Sequence, residues 1–322
     1  MLERLGFLPA AASTHAARVD ALYFFLIAVS GFFATLIAGL IVTFAYRYRR
    51  RAGSETPQPI KGSLALELTW SIIPFGIAMV IFFWGARLFV SVHTPPANAL
   101  DVFVVGRQWM WKVQHIEGRR EINELHVPIG RPVKLTLTSE DVIHSFFVPA
   151  FRIKQDAVPG RYTQEWFEAT LPGTYHLFCA EYCGTEHSRM IGHIVVMDPA
   201  DYQAWLSEGV PAGANAASGA STGVLAVAAS GEALFQRLGC ATCHRGVSGA
   251  LGPALGGLFG TRVKLQDGET VVADEDYLRE SIVNPQAKIV EGYQALMPTF
   301  QGQVSEEDLM QLITYIKALR GS

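Results

Sequence analysis

The sequence predicts a multi-domain chain: a two-helix transmembrane hairpin, then an all-β sandwich, then a small all-α domain. Three observations predict it. The 322 residues are 50% hydrophobic, and the excess sits in two uncharged blocks near the N-terminus. Residues 98–200 alternate apolar and polar positions between turn signals, as half-buried strands do. Residues 231–322 return to helical periodicity with long loops.

The first block, residues 21–46, carries no charge over 26 positions, and a membrane span needs about 20 apolar residues. It is longer than the apolar region of a signal peptide, roughly 7–15 residues, and no basic segment precedes it. The second block, residues 68–86, is uncharged over 19 positions and holds Pro74. Neighbouring groups satisfy the carbonyl that such a proline frees in a membrane helix. The spans are placed at about 21–46 and 67–90, within an N-terminal region 1–97. Arg47, Arg49, Arg50, Arg51 and Lys61 lie between them. Basic residues beside a span stay in the cytoplasm, so everything after about Val90 is expected on the outer side.

In the β region, Asp101-Val-Phe-Val-Val reads as a short apolar strand. Pro132-Val-Lys-Leu-Thr-Leu-Thr, Gly173-Thr-Tyr-His-Leu-Phe and His193-Ile-Val-Val-Met read as further strands, divided by turns such as Pro159-Gly160 and Pro172-Gly173. Residues 201–230 are expected to be a flexible linker, because 211–229 are rich in Ala, Gly and Ser and uncharged. In the last domain Ser305 fits an N-cap before Glu306, Glu307 and Asp308. Leu309, Leu312, Ile313, Ile316 and Leu319 then form one apolar stripe. A net charge of −3 gives no reason to expect a nucleic-acid partner.

The four cysteines form two tight pairs, unlike a scattered disulfide framework. The first lies in Cys179-Ala-Glu-Tyr-Cys183-Gly-Thr-Glu-His187-Ser-Arg-Met190. Two thiols, an imidazole and a thioether fall within twelve residues. Soft sulfur with imidazole selects copper over hard cations. Structural zinc sites favour closer cysteine pairs and do not use thioether. The second pair lies in Cys240-Ala-Thr-Cys243-His244, a c-type haem attachment motif.

With the upstream Asp141-Val-Ile-His144-Ser-Phe, the first motif resembles the binuclear copper (CuA) site of the cytochrome c oxidase subunit II family. The resemblance covers residues 21–200 and implies a cupredoxin-like sandwich. It implies that Cys179 and Cys183 bridge two coppers. His144 and Met190 would complete one ion, and His187 with the Glu181 carbonyl the other. It further implies that the Glu181 side chain reaches a Mg²⁺ shared with subunit I. Trp109, in Gln108-Trp109-Met-Trp111, would receive electrons from cytochrome c, while Trp111 is a core candidate. Glu67, three residues before Trp70, resembles a family glutamate at the mouth of a proton-uptake path. An acid at a helix N-terminus is also favourable for the helix dipole alone.

The region from 231 resembles a class I cytochrome c. It has an N-terminal helix motif at Gly231-Glu-Ala-Leu-Phe235, a proline at 253 after the haem motif, and Met297-Pro298 downstream. The resemblance implies covalent haem c on Cys240 and Cys243, with His244 and Met297 as axial ligands. Subunits I and III, membrane lipid, and cytochrome c or a cytochrome bc1-type complex as donor are the implied partners. The implied location is the bacterial inner membrane, with both cofactor domains on the periplasmic side. A quinol oxidase subunit would lack Cys179, Cys183 and His187. Nitrous oxide reductases are soluble and carry a propeller too large for this length. A membrane-anchored copper-delivery protein is the alternative, though it would need no Met190, Trp109 or covalent haem.

Overall fold

The computed structural model describes residues 8–50, 62–208, 221–244 and 250–319. Thr14–Thr94 form one compact unit and the rest of the chain a second. Arg51, Lys61 and the centre of the expected linker, residues 209–220, lie outside the described residues.

The first unit is two long helices, α1 (Thr14–Arg47) and α2 (Leu64–His93). Both are long and apolar enough to cross a membrane. Each extends several residues beyond its uncharged block, because a helix continues until its backbone or a cap stops it. Ser63 caps α2, its hydroxyl accepting the amide of Leu66. Glu67 follows in the first turn, where a carboxylate opposes the positive end of the dipole. Phe25 meets Trp84 across the pair, with ring centres 5.4 Å apart. Ile41, Phe82 and other large apolar side chains are exposed on this unit, which suits contact with lipid.

The second unit begins with a β-sandwich. Its strands are β1 (Leu100–Arg107), β2 (Met110–His115), β3 (Arg120–Ile122), β4 (Glu124–Pro128), β5 (Pro132–Ser139), β6 (His144–Val148), β7 (Ile153–Ala157), β8 (Thr163–Glu168), β9 (Gly173–Cys179) and β10 (Ile191–Met197). One sheet runs β3-β2-β1-β5-β8 and the other β4-β10-β9-β6-β7. The β1–β5 and β4–β10 pairs are parallel, so the chain crosses between sheets rather than meandering. Trp111, Leu125, Leu135, Phe146, Phe167 and Leu177 fill the space between the sheets, all fully buried.

Helices complete the unit: α3 (Pro199–Glu208), α4 (Ser221–Arg237), the short α5 (Cys240–Cys243), α6 (Glu275–Val283) and α7 (Glu306–Ala318). A two-stranded pair, β11 (Arg262–Lys264) with β12 (Thr270–Val272), is added to this helical domain. The expected linker is helical at both ends. Tyr202 and Leu206 of α3 are buried in the sandwich core. Val227 and Ala228 of α4 are also buried. Alanine favours helix more than any other residue, so a composition read as flexible also propagates a helix. Ser305 forms a full capping box with Asp308 at the start of α7, and Leu309, Leu312, Ile313 and Ile316 are buried. Leu319 instead caps the helix end.

The helical domain is seated on the outer face of the β1-containing sheet. Val105 and Tyr162 are buried in the same apolar cluster as Leu309 and Met310, with Phe103 packed against it. The Tyr162 amide donates to Asp276 (2.9 Å), and the Arg279 guanidinium donates to the Gly160 carbonyl (2.7 Å). Glu307 lies 3.5 Å from Lys112 and 3.4 Å from Arg120.

Candidate copper and haem sites

The first site forms where β6 begins and the loop after β9 turns back to β10. The backbone brings sulfur and nitrogen donors together from both segments. Cys179 Sγ and Cys183 Sγ are 3.8 Å apart as free thiols. His144 Nδ1 lies 3.9 Å from Cys179 Sγ, and His187 Nδ1 lies 3.5 Å from Cys183 Sγ. Met190 Sδ is 3.8 Å from Cys183 Sγ, and the Glu181 carbonyl is 3.2 Å from Cys179 Sγ. His144, Cys179, Cys183 and Met190 are buried, while the Glu181 side chain is exposed. Two thiols, two imidazoles, a thioether and a carbonyl in one largely buried cluster fit a soft metal such as copper.

Electrostatics single out one thiol. Burial pushes the Cys179 thiol up, but hydrogen bonds from His144 and its other neighbours outweigh this and bring it to about 7. Burial, together with the charge on Cys179, pushes Cys183 up to about 12. The bare pair therefore gives up one proton readily and holds the second until a cation displaces it.

Residues that the motif alone does not name hold this geometry. His144 Nε2 donates to Asp141 Oδ1 (2.8 Å), so its Nδ1 faces the thiols. Burial raises the Asp141 carboxyl, but the Gln108 amide and His144 lower it further, and it stays an acceptor. Gln108 Nε2 and Trp109 Nε1 both donate to the Cys183 carbonyl, at 2.7 and 3.3 Å. Trp111 is wholly buried and meets His144 edge-on, with ring centres 5.9 Å apart. Gly106 on β1 lies behind the imidazole, where a Cβ would sit 2.8 Å from His144 Cδ2. The spacing of Asp141 to His144 was visible in the sequence. Gly106 comes from another strand and carries no local signal.

The second site is a largely apolar cavity of about 410 Å³ in the helical domain. Cys240, Cys243, His244 and Met297 all line it, with Leu278, Ile282, Leu312 and Ile316 among the apolar walls. His244 Nδ1 donates to the Pro253 carbonyl (2.8 Å), which leaves Nε2 as the free ring nitrogen. Gly252 crowds this ring, since a Cβ there would lie 2.8 Å from His244 Cε1. An apolar cavity bordered by two thiols, an imidazole and a thioether fits a covalently held haem. Glu67 belongs to the helix-pair unit and is exposed there.

Family models match three stretches. They are "Cytochrome C oxidase subunit II, transmembrane domain" over residues 3–88, the "periplasmic domain" of the same subunit over 119–198, and "Cytochrome C oxidase, cbb3-type, subunit III" over 226–316. Cytochrome c oxidase subunit 2 of Thermostichus vulcanus is 32% identical over 254 residues, covering 62% of this chain and 77% of that protein. Its counterpart in Alkalihalophilus pseudofirmus is 31% identical over 284 residues, covering 85% of this chain and 79% of that protein. The crystal structure of the periplasmic domain of subunit II of cytochrome oxidase from Bradyrhizobium japonicum is 28% identical. It covers 36% of this chain and 96% of its own, with a TM-score of 0.35.

Proposed function

Because the chain belongs to the cytochrome c oxidase subunit II family and ends in a cytochrome c domain, we propose that it is the subunit through which electrons enter a haem–copper oxidase. In this reading electrons pass from a cytochrome c-type donor through covalent haem c to binuclear copper. They continue to subunit I, where O₂ is reduced and protons are pumped. The observation that carries the reading is the convergence of two free thiols, two imidazoles and a thioether, all of them buried except the half-buried His187.

Cys179 and Cys183 would bridge two copper ions. His144 and Met190 would complete one ion, and His187 with the Glu181 carbonyl the other. When bound, the pair supplies a one-electron carrier whose geometry changes little on reduction. The chain's own part is to hold the donors still. Asp141 keeps the His144 ring turned so that Nδ1 faces the thiols. Gln108 and Trp109 pin the Cys183 carbonyl. Trp111 and Phe146 pack edge-on to each other beside the site.

In the helical domain Cys240 and Cys243 would attach haem c, with His244 and Met297 as axial ligands. Histidine with methionine favours a high potential. Trp109, half-buried at the copper loop, would receive electrons from a soluble donor. The exposed Glu181 carboxylate would reach a Mg²⁺ shared with subunit I. Glu67 would stand at the mouth of a proton-uptake path. Subunits I and III, and cytochrome c or a cytochrome bc1-type complex, would be the partners. The location would be the bacterial cytoplasmic membrane.

Purified oxidase examined by EPR and optical spectroscopy tests the copper assignment. Cys179→Ser and Cys183→Ser should each abolish the mixed-valence copper signal and leave the haem c band unchanged. A normal mixed-valence signal in either variant refutes the bridging roles.

A further inference from the structure

A second set of metal-ligating side chains lies at the corner where the chain leaves one sheet for the other. β3 is the edge strand of the first sheet and β4 of the second. Asn123 joins them with a φ of 59°, a left-handed turn that asparagine adopts more readily than most residues. Its side chain accepts the Trp111 amide (2.8 Å) and its carbonyl accepts the His193 amide (2.9 Å), so the corner is tied to both sheets. The turn changes which way the side chains face. Glu121 pairs with the buried Val113 and takes the core side of β3. Glu124 and His126 take the outer positions of β4, alternating with the buried Leu125 and Val127.

The corner thereby brings donor atoms of Glu121, Glu124 and His126 within 4.8 Å of one another. His144, Cys179 and Cys183 at the copper cluster show the same closeness. A metal ion bonds imidazole nitrogen and carboxylate oxygen at about 2.0–2.2 Å, so donors sharing one ion stand roughly 3–4 Å apart, inside that limit.

The central ligand is held in place. Glu121 accepts His115 Nε2–H (2.7 Å), the His126 amide (3.1 Å) and His126 Nδ1–H. The Tyr202 hydroxyl donates to His115 Nδ1 (3.3 Å) and fixes that ring in turn. An ionised carboxylate offers about four lone-pair positions, and these bonds use three of them. Glu124 is exposed and makes no hydrogen bond or ion pair among the described residues. On its other side His126 stacks on Trp205 of α3, with ring centres 4.5 Å apart. We propose that Glu121, Glu124 and His126 form a site for a divalent transition-metal ion, separate from the copper cluster at Cys179 and Cys183. The ion takes the place of the proton between Glu121 and His126, which leaves to solvent, and water completes its coordination. Two carboxylates and one imidazole suit Zn²⁺. Bound there, it clamps the two edge strands together and, through Trp205, braces α3 against the sandwich.

The test uses purified oxidase with its copper and haem sites filled. Zn²⁺ alone is titrated against a competing chelator. The wild type should bind one Zn²⁺ that Glu124→Gln and His126→Gln each weaken at least about 10-fold, since loss of even an outer-shell group costs that much. His176→Gln, on β9 of the same sheet, should leave it unchanged. Zinc X-ray absorption of the one-equivalent complex should show one imidazole among oxygen ligands. The near-infrared copper band and the haem c band report folding in each variant. If His126→Gln does not assemble, Glu124→Gln decides, because it alters an exposed side chain without partners. Unchanged affinity in Glu124→Gln overturns the proposal. So do sulfur ligands on the zinc, or an equivalent weakened by His176→Gln alone.

Discussion

The sandwich and the helical domain each hold one histidine, His144 and His244, by the same device in different surroundings. In each, one ring nitrogen donates to a fixed oxygen, Asp141 in one and the Pro253 carbonyl in the other. In each, a glycine leaves no room for a Cβ behind the ring. The settings differ. The copper donors already touch one another within a packed sandwich. Cys240, Cys243, His244 and Met297 border an apolar cavity of about 410 Å³. On the proposed assignment the sandwich would hold its donors in place without the metal, whereas the helical domain would need its haem to fill the cavity.

The largest effect should follow from removing the haem. Cavities in packed cores cost about 24 cal/mol per Å³. For this volume the upper bound is about 10 kcal/mol, comparable to the whole stability of a domain. Cys240→Ala with Cys243→Ala should therefore leave the helical domain largely unfolded. The mixed-valence copper signal should remain. Circular dichroism and hydrogen exchange measure the first, and EPR the second. Native-like protection of α6 and α7 without haem would erase the contrast.

The two glycines sharpen it. Gly106→Ala forces His144 to move within a sheet, and copper affinity should fall on the order of 10–100-fold. Gly252→Ala acts on a loop that can shift, so haem attachment should survive with a small change in potential. Chelator competition and redox titration give the two numbers. Equal damage would show that the loop is as stiff as the strand.

A pH effect should appear on the copper side. Burial raises the Glu121 carboxyl, but hydrogen bonds from His115 and His126 outweigh it and hold it at about 2. A depressed folded value stabilises the fold above the ordinary carboxylate range. That stability is lost as pH falls from about 4.5 towards about 2. The contribution at neutral pH is at most roughly 3 kcal/mol. Glu121→Gln should remove it and flatten the acid limb of thermal unfolding. An unchanged limb would discount the pair.

The smallest effect is expected at the contact between the domains. Glu307→Lys reverses the pairings with Lys112 and Arg120. Pairs this exposed contribute about 0–1 kcal/mol. Copper reduction after a haem pulse, followed by stopped flow, should slow less than about 5-fold. Arg279→Ala, which removes the bond to Gly160, should slow it more.

Much of this was legible in the sequence because the chemistry is local. The copper loop and the haem motif each fit within twelve residues. Strands such as Pro132–Ser139 announced themselves by alternation. What escaped depends on contacts between distant segments. Gly106 is an ordinary strand glycine until β6 places His144 against it. Phe103 and Val105 gave β1 an apolar outer face with no visible reason. The reason is the helical domain, whose Met310 shares their cluster. The ends of residues 201–230 fold as helix, because a composition rich in Ala, Gly and Ser does not distinguish a tether from a helix that finds a surface.

On the proposed electron path, that seated domain would change the kinetic order of electron delivery. A donor held by a tether reaches its acceptor by search, at a rate that solvent viscosity and salt can alter. A haem domain already resting on Val105 and Tyr162 would have no search left. Transfer would become first order, limited by distance and reorganisation rather than by collision. The occupied sheet face is closed to soluble proteins, so an outside donor must approach from another direction. The chain would then act as a relay with a permanent internal leg, and only its outer leg would respond to dilution or ionic strength.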